Sequence, residues 1–242
     1  MRLLQIRLLS DLPVYGYSQG GHAAMATAQK VHENQALAQA FNIKALIVAN
    51  APYMLHKTAY DGFDKAKNYF NGEDGHNRLL GLAATQHVGV LPFPSVGMVM
   101  NPPYDSLYNV YVEHLGGEIH SHLPKNWRTI FRASFLNQVK TDTSVAFWRY
   151  LAKNDVYNWA NPYPTYFLYG RYDEHIPYKV SLLTRCKQQQ CLKEQGISQV
   201  KHLKTVDLSK GGLVWFSEKM NHRTMAIFAF LFAKKKLQKW KK

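Results

Sequence analysis

The stretch from Val14 to His32 leaves little freedom in how its surroundings fold. A short extended segment, Val14-Tyr15-Gly16, leads into Tyr17-Ser18-Gln19-Gly20-Gly21 and then into an Ala-rich helix former running to about His32 (Ala23, Ala24, Met25, Ala26, Ala28). Strand, glycine-bounded turn and helix, in that order, predict an α/β unit with the turn at the carboxyl end of a strand. A few residues on, Ile43 to Ala49 is a nearly continuous apolar run, as a parallel strand covered on both faces requires. It stops at Asn50-Ala51-Pro52.

The texture then changes. From about Tyr53 to Asn161, clustered Gly, Pro, Asn and aromatic residues alternate with short amphipathic segments such as Trp127 to Val139 and Ser144 to Lys153. This reads as a mainly helical insertion with irregular loops. Its aromatics (Tyr104, Tyr108, Tyr111, Trp127, Phe131, Phe135, Trp148, Tyr150) suit an insertion core better than an acyl-binding surface. The βα texture returns with Pro164 to Gly170, a loop from Arg171 to Pro177 and a polar helix from Lys179 to Gln195. An alternating strand from Val200 to Leu208 and a last helix from His222 to Lys239 complete it. The expected organisation is a discontinuous core, residues 1–55 and 160–242, interrupted by an insertion over 56–159.

Composition bounds the function classes. With 46% hydrophobic and 19% charged residues the chain can bury a sizeable core, which excludes collagen-like, low-complexity and disordered readings. The 30 Lys and Arg against 16 Asp and Glu leave +14, an excess that favours anionic partners. The longest strongly apolar run, Met225 to Ala233, is nine residues, against the roughly 20 of a membrane span. It is expected to be a core helix. At the N-terminus Gln5 and Arg7 interrupt the apolar stretch, and Leu3, Leu4 and Leu8 recur at helical spacing, so an amphipathic helix end is expected rather than an export signal. That reading leaves the chain cytoplasmic as given and its localisation open. Cys186 and Cys191 are five apart and point to different sides of a helix; free thiols are expected, a loop disulfide being the alternative.

Gly16-Tyr17-Ser18-Gln19-Gly20 fits G-x-S-x-G, in which a strand-to-helix turn is so tight that glycine is expected at both flanking positions, Gly16 and Gly20. A serine hydroxyl needs a base to take its proton and an acid to support that base, here in the order serine, acid, histidine. Asp173 lies three residues beyond Gly170, in Gly-Arg-Tyr-Asp-Glu-His-Ile-Pro, with Glu174 as the alternative acid; His222 follows the last expected strand. Ser18 also suits an ordinary helix N-cap, and His22 suits packing. His114, His120 and His122 lack zinc-site spacing, and Asp61, Asp64, Glu73 and Asp74 lack that of a calcium loop, so no metal and no cofactor are expected. The tail from Lys234 to Lys242 holds six lysines and no acid. It reads first as a solvated helix end. An interaction protein without catalysis, binding anionic lipid or nucleic acid through that tail, is the reading from another class.

Taken together, Gly16 to Ala24, the strand ending at Ala51-Pro52-Tyr53, the loop with Asp173 and the late Asn221-His222 resemble the α/β-hydrolase superfamily, nearest to its lipase and esterase branch with a helical cap. The resemblance implies a partial fold of this type: the C-terminal half of a mostly parallel sheet flanked by helices, with a cap over 56–159. It implies Ser18 as nucleophile, His222 as base and then acid, Asp173 as the supporting acid, and the Gln19 N–H as an oxyanion donor. The implied reaction is cleavage of lipid or small acyl esters, with a peptidase of the same fold as the alternative. In that family the G-x-S-x-G turn, the nucleophile elbow, follows the fifth strand, whereas Ser18 has seventeen residues before it. The expectation is that the first strands come from elsewhere, a second chain included, and that activity is impaired without them. Members of the family are often exported.

Overall fold

A computed structural model of the chain describes residues 12–56, 95–106, 124, 129–142, 144, 146–173, 175–198, 200–210 and 221–240. These fall into two compact units, one drawn from Met1–Met54 and Val156–Lys242, the other from Leu55–Asp155.

Among the described residues, the first unit is built on four parallel strands in the order in which the chain makes them: β1 (Leu12–Tyr17), β2 (Ile43–Ala49), β3 (Thr165–Tyr169) and β4 (Leu203–Asp207). Tyr17 pairs with Ala49, Ala49 with Leu168, and Tyr169 with Asp207, so the carboxyl ends of the strands lie level. Successive residues of a strand face opposite sides. In β2, Leu46 and Val48 pack with Phe167 against Met25 and Ala28 of α1 (Gln19–Glu33). Ile47 and Ala49 pack with Leu168 against Ala229 and Ala233 of the last helix, α6 (His222–Trp240). Burial on both faces is why every residue of β2 except the exposed Lys44 is apolar.

Between β1 and β2, α1 turns at Asn34 into the short α2 (Gln35–Ala40). The Asn34 side chain accepts the Leu37 N–H at 3.1 Å, a hydrogen-bonded N-cap. After β3 comes α5 (Tyr178–Glu194), which buries Val180 and Leu192 on the α1 side of the sheet. Cys186 and Cys191, both on α5, are free.

The second unit contains α3 (Ala133–Thr141) and α4 (Ala146–Lys153). Phe131, Phe135, Phe147, Trp148 and Leu151 make its core with Val99, Met100, Ile130 and Val139, while Tyr104 and Tyr150 pack against it. The Trp148 indole donates to the Val139 carbonyl at 2.8 Å, which satisfies the polar end of a fully buried ring. Tyr108, Tyr111 and Trp127 lie outside the described residues, as do His114, His120, His122, Asp61, Asp64, Glu73, Asp74 and the N-terminal apolar segment.

Two expectations are corrected. Met225 to Ala233 is not wholly core: Met225, Ala229 and Ala233 are buried, but Ile227 (61%), Phe230 (56%) and Leu231 (52%) are exposed. Nine apolar residues encircle a helix more than twice, so only the stripe at i, i+4 and i+8 is fully buried, while Phe232 packs half-buried on Tyr166 of β3. The strand expected from Val200 begins at Leu203, because Lys201 and His202 form a turn. No helix among the described residues is long and apolar enough to cross a membrane.

Candidate active site

Level strand ends put three chain exits side by side, and a fourth segment closes on them. β1 exits into Ser18, which stands before α1 at φ 53° and ψ −124°. That is left-handed backbone for a residue with a side chain, held by the Ser18 N–H on the Ala49 carbonyl (2.9 Å) and by the Gly21 and His22 N–H groups on the Ser18 carbonyl (2.9 and 3.2 Å). Gly16 makes the turn possible: a Cβ there would lie 2.1 Å from the Gly20 carbonyl oxygen. The expectation that Gly20 is a tight position is corrected, because a Cβ there would meet nothing within 4 Å. The second crowded position is Gly21, where a Cβ would lie 2.7 Å from that of Ala51. Side chains turn outward at Gly20 and toward the end of β2 at Gly21.

His222, the first residue of α6, lies 204 residues beyond Ser18 in sequence, and its Nε2 is 2.9 Å from Ser18 Oγ. Its Nδ1 is 2.8 Å from Asp173 Oδ2, in the loop after β3. Because an ionised carboxylate only accepts, Nδ1 carries the proton and Nε2 turns its lone pair to the serine hydroxyl. The Tyr17 hydroxyl donates to the His222 carbonyl, and its ring lies 5.1 Å from the imidazole. The ring of His175 stands edge-on to it at 5.0 Å.

The Asp173 side chain is fully buried and saturated with donors. Oδ1 takes the His175 and Ile176 N–H groups, both at 2.8 Å; Oδ2 takes His222 and the Asn50 amide. Burial pushes the carboxyl up, but the bond and charge of His222, the Asn50 amide and the Ile176 N–H together hold it below its ordinary value. Asp173 is therefore the acid that meets His222; Glu174 lies outside the described residues. The loop is anchored at its start, where the Arg171 N–H bonds Ser209 Oγ (2.9 Å) and its guanidinium bonds Asp207 (2.7 Å).

Gln19 opens α1, where helical N–H groups have no partner within the helix and the macrodipole is positive. Chemically, a hydroxyl on imidazole on a buried carboxylate can lose its proton to the ring, and the helix end beside it can receive negative charge. Among the described residues no three His, Cys, Asp or Glu side chains gather as metal ligands would. In the basic tail, Lys236 turns back onto the sheet unit, its ammonium 4.7 Å from the Tyr166 ring centre and 3.3 Å from that hydroxyl. Reading the sequence missed Tyr17, Asn50 and His175. Two of these sit inside the quoted motifs, and Asn50 directly follows the apolar run of β2.

The four parallel strands of the described residues, with helices on both faces and a strained serine between β1 and α1, have the arrangement of part of the α/β-hydrolase fold. Comparison with solved structures agrees: the chain is similar to the rice cell wall degrading esterase LipA of Xanthomonas oryzae, at 22% identity and a TM-score of 0.66 over 84% of this chain and 52% of that one. A ligand-bound form of LipA matches at 20% identity and a TM-score of 0.66, over 93% of this chain and 58% of that one. A Legionella pneumophila protein provisionally assigned as a hydrolase matches at 15% identity and a TM-score of 0.72, over 97% and 57%. At these identities the likeness is one of fold, and the chain spans little more than half the length of those proteins. No protein-family model and no curated protein matches the sequence.

Proposed function

We propose that this chain carries the nucleophile, base and acid of a serine hydrolase that cleaves carboxylic esters. Ser18 Oγ attacks the ester carbonyl as His222 Nε2 takes its proton, and Asp173 holds the imidazole and supports the charge it gains. The Gln19 N–H, at the positive end of α1, receives the developing oxyanion. Collapse of the tetrahedral intermediate returns the proton from His222 to the leaving alcohol. A water activated by the same imidazole then releases the acid and restores Ser18. The unit from Leu55–Asp155, placed between β2 and β3 in sequence, is on this reading a cap-type insertion.

One observation carries the reading: side chains from three distant segments form one unbroken hydrogen-bonded line, with the serine in a strained backbone conformation. Ordinary N-capping does not account for it, because the Ser18 side chain makes no cap bond to α1. The choice of esters follows the likeness to the LipA esterase. The test is labelling of the full-length protein with a fluorophosphonate, alongside hydrolysis of p-nitrophenyl acyl esters. Labelling abolished by Ser18→Ala, whose folding is checked by circular dichroism, is the expected result. A folded wild-type protein that stays unlabelled refutes the reading.

A further inference from the structure

We propose that Asn50 is a positioning residue for Asp173, its side-chain amide fixing the direction and the ionised form of the carboxylate that holds His222. The inference rests on the serine-hydrolase reading and extends it to a residue outside the nucleophile, base and acid.

Asn50 directly follows β2, between the exits of β1 and β3, and its N–H bonds the Leu168 carbonyl at 3.0 Å. It carries two unfavourable features. Its φ is 45°, and Ser18 is the only other residue with a side chain at positive φ among the described residues. Its Oδ1 is buried with no hydrogen-bond partner, in a residue only 1% exposed. Glycine at this position would remove both. What glycine could not supply is the bond from Nδ2 to Asp173 Oδ2. The amide orientation is dictated by chemistry, since the reverse would set carbonyl oxygen against carboxylate oxygen. Strain kept at one residue beside a functional centre points to a role for that residue.

The role follows from how the carboxylate is held. The backbone N–H groups of His175 and Ile176 hold Oδ1 from one side. On Oδ2 the Asn50 amide is the donor opposing His222, so it sets the angle at which Oδ2 meets Nδ1. A donor there also lowers the proton affinity of the carboxylate and keeps it ionised beside the imidazole. Among the described residues, the titratable groups that face this pair are Tyr17 from β1 and His175 from the loop itself.

Two variants of the full-length protein test this. Asn50→Gly relieves strain and orphaned oxygen but takes a donor from a buried carboxylate, so the melting temperature should change little while kcat falls about tenfold at unchanged KM, the size of a lost hydrogen bond to a charged group. Asn50→Asp keeps the size and the tolerance of positive φ but sets a second carboxyl against Oδ2. Two carboxyls in contact share one proton, so the negative charge on Oδ2 under the imidazolium is diluted and the acid limb of kcat/KM moves down from that of wild type. NMR of the His222 imidazole should show the same displacement. Wild-type kcat in Asn50→Gly, or an Asn50→Asp pH profile and His222 titration superimposable on wild type, would overturn the role. Should the wild-type protein neither label nor turn over esters, the hydrolase reading alone fails, and the His222 titration in Asn50→Asp still decides whether Asn50 governs the pair.

Discussion

Replacing the three elbow glycines one at a time with alanine separates what the motif spells from what the turn needs. A Cβ on Gly16 would lie 2.1 Å from the Gly20 oxygen, 2.5 Å from the Gly20 carbonyl carbon and 2.7 Å from the Gly21 nitrogen. All three are backbone atoms, so no side chain can swing away. Ordinary carbon–oxygen contact is about 3.3 Å or more, and the first turn of α1 must therefore retreat by roughly 1 Å. That movement strains the Gly21 N–H bond to the Ser18 carbonyl and pulls the Ser18 N–H from Ala49. Overpacking at about 1–3 kcal/mol and two weakened hydrogen bonds at about 1 kcal/mol each give a loss of about 3–5 kcal/mol. At about 2–4 °C per kcal/mol for a chain of this size, the melting temperature falls by roughly 10 °C. Gly21→Ala meets a methyl group at 2.7 Å and carbonyl oxygens at 3.1 and 3.3 Å, and should lose about 1–3 kcal/mol. Gly20→Ala meets nothing and gains helix propensity, up to about 1 kcal/mol. Calorimetry and urea unfolding measure all three. Equal losses at positions 16 and 20, or a Gly16→Ala protein as stable as wild type, would refute the steric account of the turn.

Asp155 accepts the His56 N–H at 3.0 Å, and burial pushes its carboxyl up to about 6 against the backbone N–H groups of His56 and Leu55. A carboxyl raised on folding binds its proton more tightly in the native state, so its contribution turns unfavourable as pH rises from about 4 to about 6 and stays so above. Two units amount to about 3 kcal/mol, or about 1–2 after allowance for the solvent that reaches this group. Asp155→Asn keeps the acceptor and should recover that amount at pH 7.5 and nothing at pH 4 in urea unfolding; an equal effect at both refutes the reasoning. Asp173 runs the other way: its lowered carboxyl stabilises the native state above about pH 4 and loses that contribution as pH falls through its folded value, a dependence that Asp173→Asn should abolish. Phe167→Ala, fully buried and edge-on to Tyr53 at 5.8 Å, should lose about 3–5 kcal/mol. Ile227→Ala on the exposed face of α6 should stay within about 0.5 kcal/mol, and a loss comparable to that of Phe167→Ala would show that this face is covered in solution.

The sequence discloses those parts of the fold in which a physical demand falls on consecutive residues. Burial of both faces forces β2 to be apolar at nearly every position, and the strand–turn–helix around Ser18 needs a glycine at position 16, so both can be read along the chain. Asp173 is legible as a polar residue placed just after a strand, where an open parallel sheet exposes its working edge, and His222 as the histidine that opens the last helix. What stays hidden depends on which side a residue faces or on which residue it meets. The apolar run of α6 looks uniform in one dimension, and only its helical phase against the sheet separates buried Ala229 from exposed Phe230. Gly20 and Gly21 are indistinguishable letters, yet the end of β2 lies over one and open space over the other. Helix α2 buries no residue, so it has no periodic stripe to announce it and is marked only by its Asn34 cap. Asn50 is the sharpest case. Its partner is 123 residues away and is brought to it by the register that sets Ala49 beside Leu168 and so delivers the loop after β3 to the end of β2. A lone asparagine after a strand looks like any turn former until that register is known; the left-handed backbone and the orphaned oxygen are what single it out from an ordinary turn.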